Sequence, residues 1–188
     1  MKVHLSSATL IYFTLALILC HDLTLVAVFS AVAIHELTHL IVLWIMGGHI
    51  TSIVITPLGL SIERSGLLSH RGEFLLSLSA PIVNLLIATL FLYFGLNACT
   101  VESNLSFGLI NLLPIYPLDG GKALNSLLLV ITNPVTATKT TELISHIFLI
   151  LFWMFGIAVA LIFNGGLSIL MLSIGLFISI APIGISNK

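Results

Sequence analysis

The sequence predicts an all-α polytopic membrane protein, with about six transmembrane helices, a short β-loop or hairpin after the second helix and a kinked fourth helix. Hydrophobic residues make up 59% of the 188 residues and charged residues only 7%, with a mean hydropathy of +1.23. A soluble domain carries about 25% charged residues. This chain therefore lacks the polar side chains to cover a globule in water, and we expect the lipid bilayer to be its solvent.

Six apolar runs come close to the roughly 20 residues that a spanning helix needs. The predicted spans are 3–20, 24–46, 73–96, 104–131, 142–163 and 167–183. Pro114 and Pro117 interrupt the fourth span, and a polar connector, 132–141, precedes the fifth. The first run lacks a small-residue cleavage site and is predicted to be a retained span. We expect residues 1–188 to form a single transmembrane domain.

The segment between the second and third spans does not have a helical pattern. Its apolar residues alternate with small or polar ones on both sides of Pro57-Leu58-Gly59, which is typical of a short β-hairpin or β-loop. Such a strand could pair with an extended peptide at its edge. The alternative is an ordinary connector on the cytoplasmic side.

The positions of the charged residues predict the orientation of the chain in the membrane, and the net charge argues against binding to nucleic acid. With six crossings, every lysine and arginine falls on or nearest to one side of the membrane: Lys2, Arg64, Arg71, Lys122, Lys139 and Lys188. Positive residues concentrate in the cytoplasm, so both termini are predicted to be cytoplasmic. The net charge is −1 and there is no basic patch, so nucleic acid is not an expected partner.

The second span contains an H-E-x-x-H motif, formed by His35, Glu36 and His39. Residues four apart share a face of a helix, so both imidazoles can reach one Zn²⁺. Glu36 is close enough to contact a metal-bound water. In a soluble helix the motif can arise by chance, but an ionisable residue inside a span is costly and is by default a functional-site hypothesis.

Asp119 is the best candidate for a third ligand, which a catalytic zinc requires in addition to an open position for water. The second and fourth spans run in the same direction. His35, His39 and Asp119 all lie roughly 16–22 Å from the outer ends of their spans at about 1.5 Å per residue. Asp119 could instead cap the helix that follows it. Asn84 in the third span could be a hydrogen-bonding contact between helices.

Three segments resemble the site-2 protease family of intramembrane zinc metalloproteases. They are His35-Glu36-Leu37-Thr38-His39, Ser79-Ala80-Pro81-Ile82-Val83-Asn84, and the stretch NLLPIYPLDGG at 111–121. The last looks most like the bacterial branch that contains the sporulation stage IV protease, which processes a membrane-associated pro-sigma factor. Members of that branch carry a C-terminal nucleotide-sensing CBS domain, and this sequence ends at Lys188 without one. The resemblance implies a role in sporulation, and the difference at the C-terminus counts against that role and against regulation by nucleotide.

The resemblance implies a role for each matching residue. His35, His39 and Asp119 would be the zinc ligands and Glu36 the general base. Asn84 and Asn111 would line the active cavity, where either could donate a hydrogen bond to the oxyanion of the transition state. The implied reaction is hydrolysis of a peptide bond within or near the membrane-embedded segment of a protein substrate.

The resemblance also implies partners and a location. The substrate would be a membrane-anchored protein such as a pro-sigma or anti-sigma factor. The protein would lie in the lipid bilayer of a bacterial cell membrane. Inhibitory membrane proteins would be further partners. The competing functions are a zinc-binding membrane transporter and a non-catalytic membrane scaffold. A transporter favours ligands at several depths, and a dead scaffold would be expected to lose Glu36 or Asp119, so the residues favour a catalyst.

Overall fold

The computed structural model describes residues 2–5, 23–56, 59–65 and 68–163. The elements in these ranges are β1 (Lys2–Leu5), α1 (Leu23–Ile45), β2 (His49–Thr56), β3 (Gly59–Ser65), α2 (His70–Tyr93), α3 (Ala98–Asn111), α4 (Asp119–Ile131) and α5 (Pro134–Phe163). The chain divides into two compact units, Met1–Asn111 and Leu112–Lys188. The first unit contains the three strands and α1 to α3, and the second contains α4 and α5.

Three helices in the described ranges are long and apolar enough to cross a membrane: Leu25–Ile45, His70–Tyr93 and Pro134–Val159. The predicted fourth span is instead two shorter helices, of 14 residues in α3 and 13 in α4. At about 1.5 Å per residue, each is shorter than the roughly 30 Å hydrocarbon core. Pro114 and Pro117 lie in the connection between these helices, where they interrupt no helical hydrogen bond. The kinked fourth helix was therefore a wrong prediction.

The predicted count of six spans is not supported. The first predicted span included Val3, but Lys2–Leu5 is a strand. The rest of that span and the whole of 167–183 lie outside the described residues. The predicted connector 132–141 is also wrong, because α5 already begins at Pro134. Asn133 Oδ1 accepts a hydrogen bond from the Thr136 N–H at 2.8 Å, a capping contact, and proline suits the first position of a helix.

The three strands form one sheet in the order β1-β2-β3. β1 runs parallel to β2, with Val3 opposite Ile53, and β2 runs antiparallel to β3, with Ile53 opposite Ile62. β2 and β3 occupy the segment in which the sequence pattern predicted a hairpin. Because β2 is central, β1 and β3 are the edges of the sheet as far as it is described.

The buried faces of the three described helices in the first unit consist of small and polar residues, with Leu43 as the large apolar exception. These residues are Ala27, Ala31, His35 and Leu43 on α1; Ser77, Ala80, Pro81, Asn84 and Ala88 on α2; and Asn104, Gly108 and Asn111 on α3. Large apolar side chains such as Leu75 and Leu86 point outward. Membrane helices pack in this way, because lipid solvates large apolar groups and small residues let backbones approach closely.

In the second unit, α4 packs against α5. Four buried residues of α5 recur every four positions, at Ala137, Thr141, Ser145 and Leu149. The Thr141 hydroxyl is 3.3 Å from Asn125 Oδ1 on α4 and 2.9 Å from the Ala137 carbonyl on its own helix. This stripe fixes which face of α5 meets the connection 112–118.

Candidate metal centre

His35 and His39 lie on the same face of α1, as their spacing predicts. Their ring centroids are 4.9 Å apart and the rings are nearly perpendicular, at 86°. His35 is buried, with 3% of its surface exposed, and His39 is half-buried. A second ring, that of Phe107 on α3, contacts His35 edge-on at 4.9 Å. The His35 imidazole is therefore confined on two sides.

The Nδ1 atom of each imidazole faces an oxygen on α2. His39 Nδ1 is 3.1 Å from the Leu76 carbonyl, and His35 Nδ1 is 2.9 Å from Asn84 Oδ1. A carbonyl oxygen can only accept a hydrogen bond, so His39 Nδ1 carries a proton and donates it. Nε2 is then the nitrogen with the lone pair. Metal-binding histidines are commonly oriented by such a contact to the other ring nitrogen.

Glu36 follows His35 directly on α1 and is half-buried. A carboxylate beside two imidazoles is the third part of the H-E-x-x-H arrangement, in which it acts on water rather than on the metal. Its place on α1 keeps it adjacent to the histidines.

Asp119 is the first residue of α4 and is buried, with 4% of its surface exposed. The residue in the capping position is Leu118, which makes no side-chain capping contact. The alternative interpretation of Asp119 as a helix cap is therefore wrong. Lys122 Nζ donates to Asp119 Oδ1 at 3.1 Å, and the N-terminal end of a helix also favours negative charge. Both interactions fix the position of the carboxyl group at the start of α4.

The backbone at Gly120 and Gly121, directly after Asp119, leaves no space for a Cβ atom. A Cβ atom added to Gly120 would lie 2.2 Å from the Leu112 carbonyl oxygen, and one added to Gly121 would lie 2.4 Å from the Tyr116 nitrogen. The connection itself is anchored to α5, because the Ser145 hydroxyl accepts the Tyr116 N–H at 2.9 Å and donates to the Pro114 carbonyl at 3.3 Å. The Gly-Gly pair therefore allows the start of α4 to lie directly on the preceding loop.

Asn84 and Asn111, the two asparagines predicted to line the active cavity, are both buried, but their contacts differ. Asn84 donates to the Ala31 carbonyl at 3.1 Å and to Asn104 Oδ1 at 2.9 Å, so both of its N–H groups are occupied. Asn111 donates one N–H to the Phe107 carbonyl at 3.1 Å. These contacts favour Asn111 over Asn84 as a donor to a substrate.

Sequence reasoning missed Asn104, Ser145 and Phe107. Asn104 is fully buried on α3. Its signal in the sequence is an asparagine inside a predicted membrane span. Ser145 and Phe107 carry no motif and are recognised from their contacts alone.

Among the described residues, the His35 and His39 imidazoles of the first unit and the Asp119 carboxylate of the second unit each offer an atom that could bind a metal ion. Imidazole and carboxylate are both established zinc ligands, and three protein ligands are the number that catalytic sites provide. The donor chemistry and the orientation of the rings therefore fit zinc.

Comparisons with known proteins agree with this chemistry. Residues 96–155 match the family model described as Peptidase family M50. The chain is 27% identical over 143 residues to a zinc metalloprotease of Methanocaldococcus jannaschii, a match that covers 70% of this chain and 42% of that protein. The chain thus spans about two fifths of the length of this curated relative.

The fold is also similar to a solved structure, the site-2 protease from Methanocaldococcus jannaschii. The TM-score is 0.70 at 20% sequence identity, and the likeness covers 96% of this chain and 89% of that one. At this level of identity the likeness shows a shared fold.

Proposed function

We propose that the chain is a site-2 protease, an integral membrane zinc metalloprotease that hydrolyses a peptide bond in a membrane-embedded protein substrate. The match to the Peptidase family M50 model, the metalloprotease relative and the shared fold support this proposal. The observation that carries the proposal is the pair of oriented imidazoles on α1 with Glu36 beside them. Asp119, which is buried at the start of α4 and contacts Lys122, is proposed as the third ligand.

A bound zinc ion would supply Lewis-acid chemistry that makes water a nucleophile near neutral pH. The residues of the chain supply the proton transfers. Glu36 accepts the proton of the attacking water and later donates it to the leaving amine, which is general base and then general acid catalysis. Asn111, with one N–H on the Phe107 carbonyl, is proposed to donate its other N–H to the oxyanion.

The sheet edge gives the substrate a place to bind in an extended form. A transmembrane helix hides its carbonyls in its own hydrogen bonds, so it must unwind before hydrolysis. β3 is paired with β2 on one side, and an extended peptide adds to such an edge through main-chain hydrogen bonds. We propose that the unwound substrate pairs there.

The proposed orientation places the sheet and the start of α2 in the cytoplasm, together with both termini. Arg64 and Arg71 flank this region, and Lys139 lies near the start of α5, in agreement with the positive-inside rule. The test labels single cysteines in a cysteine-free background with a thiol reagent that does not cross the membrane. Arg71→Cys should react only when the reagent has access to the cytoplasmic side. Asn97→Cys, beyond the other end of α2, should react when the reagent is added outside. The opposite labelling would contradict this orientation.

The motif at 111–121 supports a bacterial membrane and a pro-sigma or anti-sigma factor as substrate, with an inhibitory membrane protein as regulator. This finer proposal is tested by co-expression with candidate substrates that carry membrane anchors. Cleavage of soluble proteins in preference to anchored ones would contradict it.

Glu36→Gln tests the catalytic proposal. The amide is nearly isosteric but accepts no proton, so we expect cleavage of a membrane-anchored substrate to fall by roughly 10²–10⁴-fold, the usual contribution of a general base, while zinc content is unchanged. The matched control is Glu102→Gln, the same chemical change at an exposed position of α3, which should leave cleavage unaffected. A chelator should abolish cleavage by the unmodified protein.

The same preparation separates the competing functions. Zinc flux into proteoliposomes without proteolysis would identify a transporter, and zinc binding without either activity would identify a scaffold. Cleavage that persists in Glu36→Gln would refute the general-base role.

A further inference from the structure

A chain of buried amides connects α3 to His35, and we call it the amide relay: Thr100 carbonyl, Asn104, Asn84 and His35 Nδ1. Asn104 Nδ2 donates to the Thr100 carbonyl at 2.9 Å, and Asn84 Nδ2 donates to Asn104 Oδ1 at 2.9 Å. Asn84 Oδ1 then lies 2.9 Å from His35 Nδ1. The relay joins the three described helices of the first unit.

The direction of the relay follows from two backbone carbonyls. The Ala31 carbonyl contacts Asn84 at 3.1 Å, and the Thr100 carbonyl contacts Asn104. Backbone carbonyls only accept hydrogen bonds, so the NH₂ group of each amide must face its carbonyl. Reversing either amide would place two oxygens against each other. Asn84 Oδ1 therefore faces His35, and the proton between them must belong to His35 Nδ1.

Burial makes this arrangement costly to change. Asn84 and Asn104 are fully buried and His35 is 3% exposed, so no bulk water can replace a lost partner. In an apolar environment, an amide that loses its hydrogen bond destabilises the fold, because nothing replaces its partner. Among the described residues, no buried side-chain nitrogen or oxygen lacks a hydrogen-bond partner.

We propose that Asn84 and Asn104 are positioning residues that hold His35 in its Nδ1-protonated tautomer, which reserves the Nε2 lone pair for the metal. This inference rests on the proposed role of His35 as a zinc ligand. It assigns Asn84 a different task from oxyanion stabilisation, since both of its N–H groups are used within the relay. His39 reaches the same tautomer through the Leu76 carbonyl, so only His35 depends on side chains for it.

The direct test is ¹⁵N NMR of the metal-free protein labelled at histidine, in which the two ring nitrogens of each neutral tautomer give distinct signals. The assignment uses a His35→Ala sample as reference. We expect His35 to be protonated at Nδ1, and Asn104→Leu to produce a mixture of tautomers while His39 is unchanged. A His35 protonated at Nε2 in the unmodified protein would overturn the proposal, whatever the variants do.

Zinc affinity gives a second readout, from competition with a chromophoric chelator. We expect Asn84→Leu and Asn104→Leu to weaken binding by roughly 10–100-fold, as is usual when a contact that orients a ligand is removed. Unlike Asn104→Leu, the variant Asn104→Asp should bind zinc within a few-fold of the unmodified protein. The neutral carboxylic acid offers the same acceptor to Asn84 and an O–H donor to the Thr100 carbonyl. Asn97→Ala is the matched control, because Asn97 caps α3 through the Thr100 N–H and is exposed.

The outcomes separate this inference from the proposed function. Unchanged tautomer and affinity in both leucine variants would refute the relay. If the leucine variants do not fold, the spectrum of the unmodified protein still decides. A protein with the expected tautomer that binds no zinc would refute the proposed metalloprotease and leave the relay intact.

Discussion

His35 is oriented by side chains from two other helices, whereas Asp119 is oriented by the backbone next to it. The His35 imidazole depends on Asn84 and, through it, on Asn104. Asp119 begins a helix whose next two residues are glycines pressed on the preceding loop, and that loop is anchored by one hydroxyl, from Ser145. The two proposed ligands therefore differ in what disturbs them: His35 is sensitive to the loss of a hydrogen-bonding group, and Asp119 is sensitive to added volume.

The largest effect is expected from adding volume beside Asp119. In Gly120→Ala the new methyl group meets the Leu112 and Leu113 carbonyl oxygens at 2.2 and 2.5 Å, so backbone must move. We expect a loss of about 1–3 kcal/mol in stability, as for overpacking, and a fall of about 10²-fold in cleavage, as for misplacing a catalytic group by about 1 Å. The thermal midpoint and the cleavage rate measure the two effects.

Gly72→Ala is the matched control, because its nearest neighbour would be Ser69 Oγ at 3.4 Å, an ordinary contact. Equal losses in both variants would mean that the packing around Asp119 is not special.

A smaller effect is expected from Ser145→Ala, which leaves the Tyr116 N–H without its partner. A buried donor without a partner costs about 1–3 kcal/mol. If the loop shifts to recover a contact, cleavage should fall by roughly tenfold, since 1.4 kcal/mol corresponds to a factor of ten. Thr141→Val, one turn earlier on the same buried face, removes a hydroxyl that does not contact the loop. Cleavage reduced equally in both variants would contradict the anchoring role of Ser145.

The smallest effect is expected from Lys122→Met. Lys122 pairs with Asp119, but its side chain is 47% exposed, and exposed ion pairs contribute about 0–1 kcal/mol. A bound zinc ion would also neutralise the carboxylate in its place. Zinc affinity should therefore change by less than about fivefold. If Lys122→Met lowered zinc affinity as much as Asn104→Leu does, the position of Asp119 would also depend on a side chain.

The sequence predicted the parts of the site that depend on local spacing. His35 and His39 share a face because helical periodicity places residues four apart together. The motif at 111–121 predicts Asp119 as a ligand, and Asp119 is buried at the start of α4. Two helices, α1 and α2, were also predicted within a few residues, because uninterrupted apolar runs of that length leave few alternatives in a bilayer.

The parts that the sequence did not predict depend on distant partners. β1 pairs with β2 across about 50 positions, as with Val3 and Ile53, and no local pattern specifies such a pairing. Asn104 gains its role only from Asn84, on another helix. The start of α5 was missed because the threonines that follow Pro134 are weak helix formers, and the cap at Asn133 was not recognised.

The relay also has a consequence for biosynthesis. His35 leaves the ribosome long before Asn104, since 104 − 35 = 69 residues separate them. At roughly 5–20 residues per second, His35 is in the growing chain for about 3–14 s before the residue that completes its hydrogen bonding is made. Ribosome-bound chains that stop before Asn104 should therefore retain zinc less well than chains that include α3. If His35 is the proposed zinc ligand, the site is therefore incomplete while the chain is being inserted and is completed only when the third described helix is in place.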